Sequence, residues 1–132
     1  MKYLLDTNIC IYFLNGNKKI LEKINQVSDQ DMAIAIITLA ELQFGAYNSN
    51  QIQNNLKRIE YLRSKIKVIN LTPEITEKYA AIKSSLRKSG TIIDDFDILI
   101  GSSALVNDLR LVTNNQQHFQ RISKLVTENW VE

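Results

Sequence analysis

The sequence predicts an α/β protein: a three-layer α/β/α sandwich around a central parallel sheet of four to five strands. Short apolar, β-branched runs alternate with longer stretches whose apolar residues recur every three or four positions, the pattern of strands joined by crossover helices. One helical stretch, "DDFDILIGSSALVNDL", is apolar nearly all round after its acidic start, so it must be covered on every side. The third observation is a carboxylate, Asp6, directly behind the apolar run of "MKYLLDTNIC". An unpaired buried charge is expensive, so this acid needs a proton, a partner or a metal.

Taken in order, "KYLL" reads as a short buried strand and "TNICIYFLNG" as a helix capped by Thr7 or Asn8 and stopped at Gly16. Ile20, Leu21, Ile24 and Val27 repeat with helical spacing. "AIAII" is a second buried strand, after which "TLAELQFGAY" starts a helix at Thr38. Ile52, Leu56, Ile59, Leu62 and Ile66 form one helical stripe, and "KVINL" is a third strand. Thr72-Pro73 is an N-cap followed by proline at the first helical position, opening a helix lined by Ile75, Tyr79, Ile82 and Leu86 that Gly90 stops. In the buried helix, Gly101, Ser102, Ser103 and Ala104 permit close approach of its neighbours. "LRLVT" is a fourth strand, "QQHFQRI" a short helix and "KLVTENW" an edge strand, with Trp130 packing the last segment. No repeat or low-complexity tract interrupts residues 1–132, which read as a single domain.

Composition narrows the function classes. The apolar content of 45% is that of a globular protein. A single cysteine, Cys10, excludes an internal disulfide, fits a reducing compartment and reads as core. No apolar run approaches the roughly 20 residues of a membrane span, and "MKYLLD" meets an acid too early for a signal peptide. The expectation is a soluble, cytoplasmic protein. The net charge of +2 is a weak hint of a polyanionic partner, stronger if some acids are metal ligands. Lys57, Arg58, Arg63, Lys65 and Lys67 form one basic cluster and Lys83, Arg87 and Lys88 another; each alone reads as a solvated helix face.

In parallel α/β sheets ligands bind beyond the carboxyl ends of the strands, and this turns scattered acids into one candidate site. Asp6 ends the first strand, Glu41 follows the second, Asn114 and Asn115 follow the fourth, and Asp94, Asp95 and Asp97 open the buried helix. Converging carboxylates need a cation to stay ionised together. Hard oxygen donors suit Mg²⁺, with Mn²⁺ as its substitute, and Mg²⁺ takes one or two protein carboxylates plus waters. Structural roles compete at each place. Thr38 to Glu41 matches a capping box, which leaves capping and coordination evenly matched for Glu41. Asp94 reads equally as the N-cap of the buried helix, and Asp97, a turn inside, as the ligand. His118, the only histidine, invites a general-base role, but no acid nearby in sequence is spaced to orient it. No glycine-rich phosphate loop or zinc spacing is present.

With these residues assembled, the chain resembles the PIN-domain nucleases, and among them the VapC toxins of toxin–antitoxin systems, from "LLDTN" to "ENWV". "LLDTNICIYFL", "ITLAELQFG", "GTIIDDFDILIGSSAL" and "LVTNNQQHF" are similar to that family's four motifs, in order. The resemblance implies a PIN-like fold and a Mg²⁺-dependent endoribonuclease acting on RNA. It also implies a homodimer and a VapB-like antitoxin that blocks the site. Asp6, Glu41 and Asp97 match the family's acids, and Thr7, Asn8 and Thr113 its supporting polar positions. Two departures stand out. Many members carry an aspartate where this chain has Asn115, which leaves the second metal position without a charge, and an acid where this chain has His118. The wording of "DTNICIY", "VTNN" and "ENWV" is similar to toxins that cut initiator tRNA.

Two other classes compete. An aspartate-nucleophile phosphatase needs a second acid two residues after the nucleophile, where this chain has Asn8. A non-catalytic PIN-like RNA-binding module fits Asn115 but not three retained acids.

Overall fold

Five short strands carry much of the core: β1 (Tyr3–Leu5), β2 (Met32–Ala35), β3 (Lys67–Ile69), β4 (Arg110–Val112) and β5 (Thr127–Glu128). In the computed structural model, which describes residues 1–132, they form one sheet in the order β3-β2-β1-β4-β5. Every neighbouring pair is parallel. Seven helices cover it: α1 (Thr7–Leu14), α2 (Lys18–Gln26), α3 (Ile36–Tyr47), α4 (Ile52–Lys65), α5 (Pro73–Lys88), α6 (Asp95–Val106) and α7 (Gln116–Phe119).

The period of two along a strand divides the core. Leu5, Met32 and Ile34 face one side with Ile9, Ile20, Leu39, Leu42, Ile59 and Leu62 from the first four helices. Leu4, Ala33, Ala35 and Leu111 face the other with Ile75, Ile98, Ile100 and Phe119. Both faces are thus buried, as the all-apolar strands require, and the layers are those of the predicted α/β/α sandwich. None of the helices is long and apolar enough to cross a membrane.

Local chemistry explains most boundaries. Gly16 and Gly90 have φ of +79° and +74°, the left-handed conformation that ends α1 and α5. Thr72 caps α5 through the Ile75 amide, with Pro73 opening the helix. The Gly101 position is tight: a Cβ there would lie 2.9 Å from Ile122 Cδ1, so the small residues of α6 admit the C-terminal segment. Trp130, buried, meets Tyr3 edge-on at 5.1 Å and fastens the chain end beside β1.

Two boundaries differ from the sequence expectation. Helix α1 is capped by Asp6, not by Thr7 or Asn8: its Oδ1 accepts the Ile9 amide proton at 3.0 Å. The strand-end acid is therefore also the cap. Helix α3 begins at Ile36 rather than Thr38, because β2 ends at Ala35 and the chain turns at once. Thr38 lies inside the helix, fully buried, and no side chain caps it. The capping box read from Thr38 to Glu41 does not form, and Glu41 is free for another role.

The order of the sheet places a crevice. From β1 the chain moves to β2 and β3 on one side, then crosses back to β4 and β5 on the other. The reversal falls between β1 and β4, and the C-terminal ends of these two strands are where such folds bind ligands.

Candidate active site

Asp6 and Thr113 leave the sheet side by side at this reversal, each the residue after its strand. The Asp6 amide donates to the Val112 carbonyl at 3.0 Å, so the sheet ladder fixes the acid's backbone. Its carboxylate is buried, with 5% of the residue exposed. Burial pushes its pKa up, and the charge of Asp97 adds to the rise; the Thr113 hydroxyl and the Ile9 and Asn8 amides pull the other way. Thr113 is fully buried, and its Oγ1 accepts the Asn115 amide proton at 3.0 Å.

Glu41 arrives from α3. Its Oε1 accepts a 2.6 Å hydrogen bond from the Thr7 hydroxyl, which lies 3.2 Å from that of Thr38. Thr7, at the start of α1, thus holds the glutamate, with Thr38 of α3 beside its hydroxyl. The Glu41 pKa is also raised, first by burial and then by the charges of Asp97 and Asp94, against the Thr7 bond.

Asp97 comes from the first turn of α6, half-buried. Its Oδ2 stands 3.0 Å from His118 Nε2, on α7. Burial raises its pKa, the His118 imidazole lowers it, and the Asp94 charge raises it. The Asp97 charge acts on both Asp6 and Glu41, so the three acids from β1, α3 and α6 form one electrostatic group. These are the acids that the sequence singled out, and the fold brings them together.

The supporting residues divide. Thr7 and Thr113 touch the acids as described. Asn8 is exposed, and only its backbone amide reaches Asp6. Asp94 is the N-cap of α6, its Oδ2 accepting the Phe96 amide proton at 3.2 Å. It bears on the site through its charge. Asn115 is exposed at the start of α7, with no side-chain capping bond.

His118 departs from the sequence expectation. No acid lies near it in sequence, yet Asp97, 21 residues earlier, meets it in space. Its ring is also set edge-on against Phe119 at 5.3 Å. Tyr12 carries no motif signal in the sequence, yet its hydroxyl accepts from Asn114 Nδ2 at 2.9 Å and ties α1 to the loop after β4. Asn114 Oδ1 is buried without a partner. No spacing signal could have paired residues 102 positions apart.

The donors are carboxylate oxygens with amide and hydroxyl groups behind them, which is a hard set suited to Mg²⁺ or Mn²⁺. No three acidic, histidine or cysteine side chains are gathered tightly enough to enclose an ion by themselves. A cation here would be held by one or two carboxylates and completed by water. Burial and neighbouring carboxylates raise all three acids, which a cation would offset.

Comparison with known proteins agrees with this fold. The PIN domain family model matches residues 3–125. Ribonuclease VapC2 of Rickettsia felis is 36% identical over 98% of both chains. The tRNA(fMet)-specific endonuclease VapC of Shigella flexneri is 32% identical, again over 98% of each. The crystal structure of DNA-bound VapBC from Salmonella typhimurium superimposes with a TM-score of 0.93 at 32% identity, covering 98% of each chain. The chain, by motif order, fold and these likenesses, belongs to the PIN domain family and, within it, to the VapC group.

Proposed function

We propose that this protein is the ribonuclease toxin of a toxin–antitoxin pair, a Mg²⁺-dependent endoribonuclease hydrolysing RNA phosphodiester bonds. The observation that carries the reading is the convergence of Asp6, Glu41 and Asp97 at the sheet's reversal point, with all three carboxyls raised by burial. Relatives named as ribonucleases or as a tRNA endonuclease support it, and they make tRNA the first substrate class to try.

Asp6 and Asp97 would hold the ion, with Glu41 beside them. Bound Mg²⁺ supplies positive charge for the scissile phosphate and the Lewis acidity that water activation needs. Glu41, anchored by Thr7 and only partly exposed, is the group placed to take the proton of an attacking water. Burial favours that role, because a carboxyl with a raised pKa is a stronger base. Thr113 and the α1 amides hold Asp6 so that its charge faces the crevice without losing its structural bonds.

A VapB-like antitoxin is the proposed partner, as in the VapBC complexes this fold resembles. A groove between α1, α3 and α4 runs up to Glu41, its apolar side formed by Ile11, Leu14, Leu42 and Ile59 and its polar side by Asn55 and Arg58. A peptide lying in it would reach the catalytic crevice. Ile92 and Phe96, exposed beside the start of α6, offer an apolar face for a second copy and so support a homodimer. A reducing cytoplasm suits the single buried thiol of Cys10. The test is cleavage of total tRNA by the purified protein in Mg²⁺ and in EDTA, with Asp6→Asn as control. Cleavage that needs Mg²⁺ and fails in the variant is expected. Cleavage unaffected by EDTA, or none by wild type under any divalent ion, overturns the reading.

A further inference from the structure

His118 is where this site departs from an all-oxygen donor set. Its Nε2 stands 3.0 Å from Asp97 Oδ2, and it enters the crevice on α7 from the loop after β4. Such a distance fits a hydrogen bond. It is also the separation of two neighbouring donors around one ion, since an octahedron with bonds of about 2.0–2.1 Å has an edge of roughly 2.9 Å. Nε2 points at the carboxylate in this structure, and no three acidic, histidine or cysteine side chains enclose an ion, so ligation requires His118 to turn from Asp97 toward the ion. The side chain is partly exposed and meets Phe119 edge-on, so solvent borders the ring.

We propose that His118 Nε2 is a ligand of the metal centre beside Asp97, and that this nitrogen shifts the centre's preference from Mg²⁺ toward Mn²⁺. The inference rests on the metal-dependent reading above and adds to it a donor and a selectivity. Mg²⁺ is hard and gives up water reluctantly, so exchanging a water for imidazole gains it little. A first-row transition ion accepts imidazole nitrogen more readily, so the same exchange favours it. Among Asp6, Glu41 and Asp97 only oxygen is on offer, and His118, the one histidine, brings the imidazole nitrogen.

The experiment binds Mn²⁺ and Mg²⁺ separately to the full-length protein, followed by calorimetry, and records the electron-spin-echo spectrum of the Mn²⁺ form. Wild type, His118→Glu, His118→Gln and Asp6→Asn are compared, with circular dichroism confirming that each folds. His118→Gln covers the case in which an added carboxylate beside Asp97 impairs folding. The expected result is imidazole-nitrogen coupling to Mn²⁺ in wild type, absent in both His118 variants. The ratio of Mn²⁺ to Mg²⁺ affinity should fall about tenfold in both. If ions bind and Asp6→Asn weakens them, but no nitrogen coupling appears and the ratio is unchanged, the inference is wrong while the metal site stands. His118 would then only orient Asp97. If no divalent ion binds wild type, both the inference and the metal-dependent reading fall.

Discussion

Asp6 is asked to do two things, to cap α1 and to bear charge in the crevice, and substitution can separate them. Asparagine caps a helix as well as aspartate does. In Asp6→Asn the side-chain oxygen can keep the 3.0 Å bond from the Ile9 amide, and the new amide group can donate to Thr113 Oγ1. Only the charge is lost. That charge is unfavourable in the apo protein, because burial and Asp97 raise the folded-state pKa above 3.8. At neutral pH each unit of the rise weakens the fold by about 1.4 kcal/mol. Asp6→Asn should therefore melt at or above wild type at pH 7.5 without metal. The gain should close as the pH falls through the carboxylate range, where wild-type Asp6 is itself neutral. Asp6→Ala removes charge and cap together, and the lost cap costs about 1 kcal/mol. For 132 residues that is about 4 °C in melting temperature relative to Asp6→Asn. Thermal unfolding by circular dichroism, at several pH values in EDTA, measures all three proteins, and RNA cleavage in Mg²⁺ should be lost in both variants. Equal destabilisation of the asparagine and alanine variants would refute the cap argument. Wild-type cleavage by Asp6→Asn would refute the catalytic one.

Glu41→Gln should abolish most cleavage while shifting the melting point little, since glutamine can still accept the Thr7 hydroxyl and no capping box is at stake. Full activity in that variant would return Glu41 to a structural role. Asn115→Asp should tighten binding of a second Mg²⁺, read by calorimetry with a non-cleavable RNA. Because Asn115 is exposed at a helix start, added repulsion in the apo protein should be small. Two equally tight ions in RNA-free wild type would show that Asn115 is no handicap. Asp6, Glu41 and Asp97 bind protons more tightly folded than unfolded, so they should make the apo protein lose stability as pH rises above the ordinary carboxylate values of 3.8 and 4.5, against an opposite contribution from exposed Glu74 and Asp95. Mg²⁺ should reverse the loss. Denaturant melts from pH 4 to pH 8, with and without the ion, check this; no loss of stability over this range in EDTA would refute the raised carboxyls.

Periodicity and turn chemistry act over a few residues, which is why the strands, the apolar stripe of α4, the Thr72-Pro73 start and the Gly16 and Gly90 stops were all legible in the sequence. The acids at the strand ends were legible for the same reason, and parallel topology then put Asp6, Glu41 and Asp97 at one edge of the sheet. Where a residue had two local uses, the sequence left them open. Only the fold, by turning the chain at Ala35, buried Thr38 inside α3 and gave Glu41 to Thr7 instead of to a helix cap. Only the fold made Asp6 both cap and crevice acid, since that depends on where β1 ends against β4. The meeting of His118 with Asp97, and of Asn114 with Tyr12, joins residues on elements that touch because the sheet reverses between β1 and β4. Contacts of that kind are set by packing across many elements, and no local spacing in the chain encodes them.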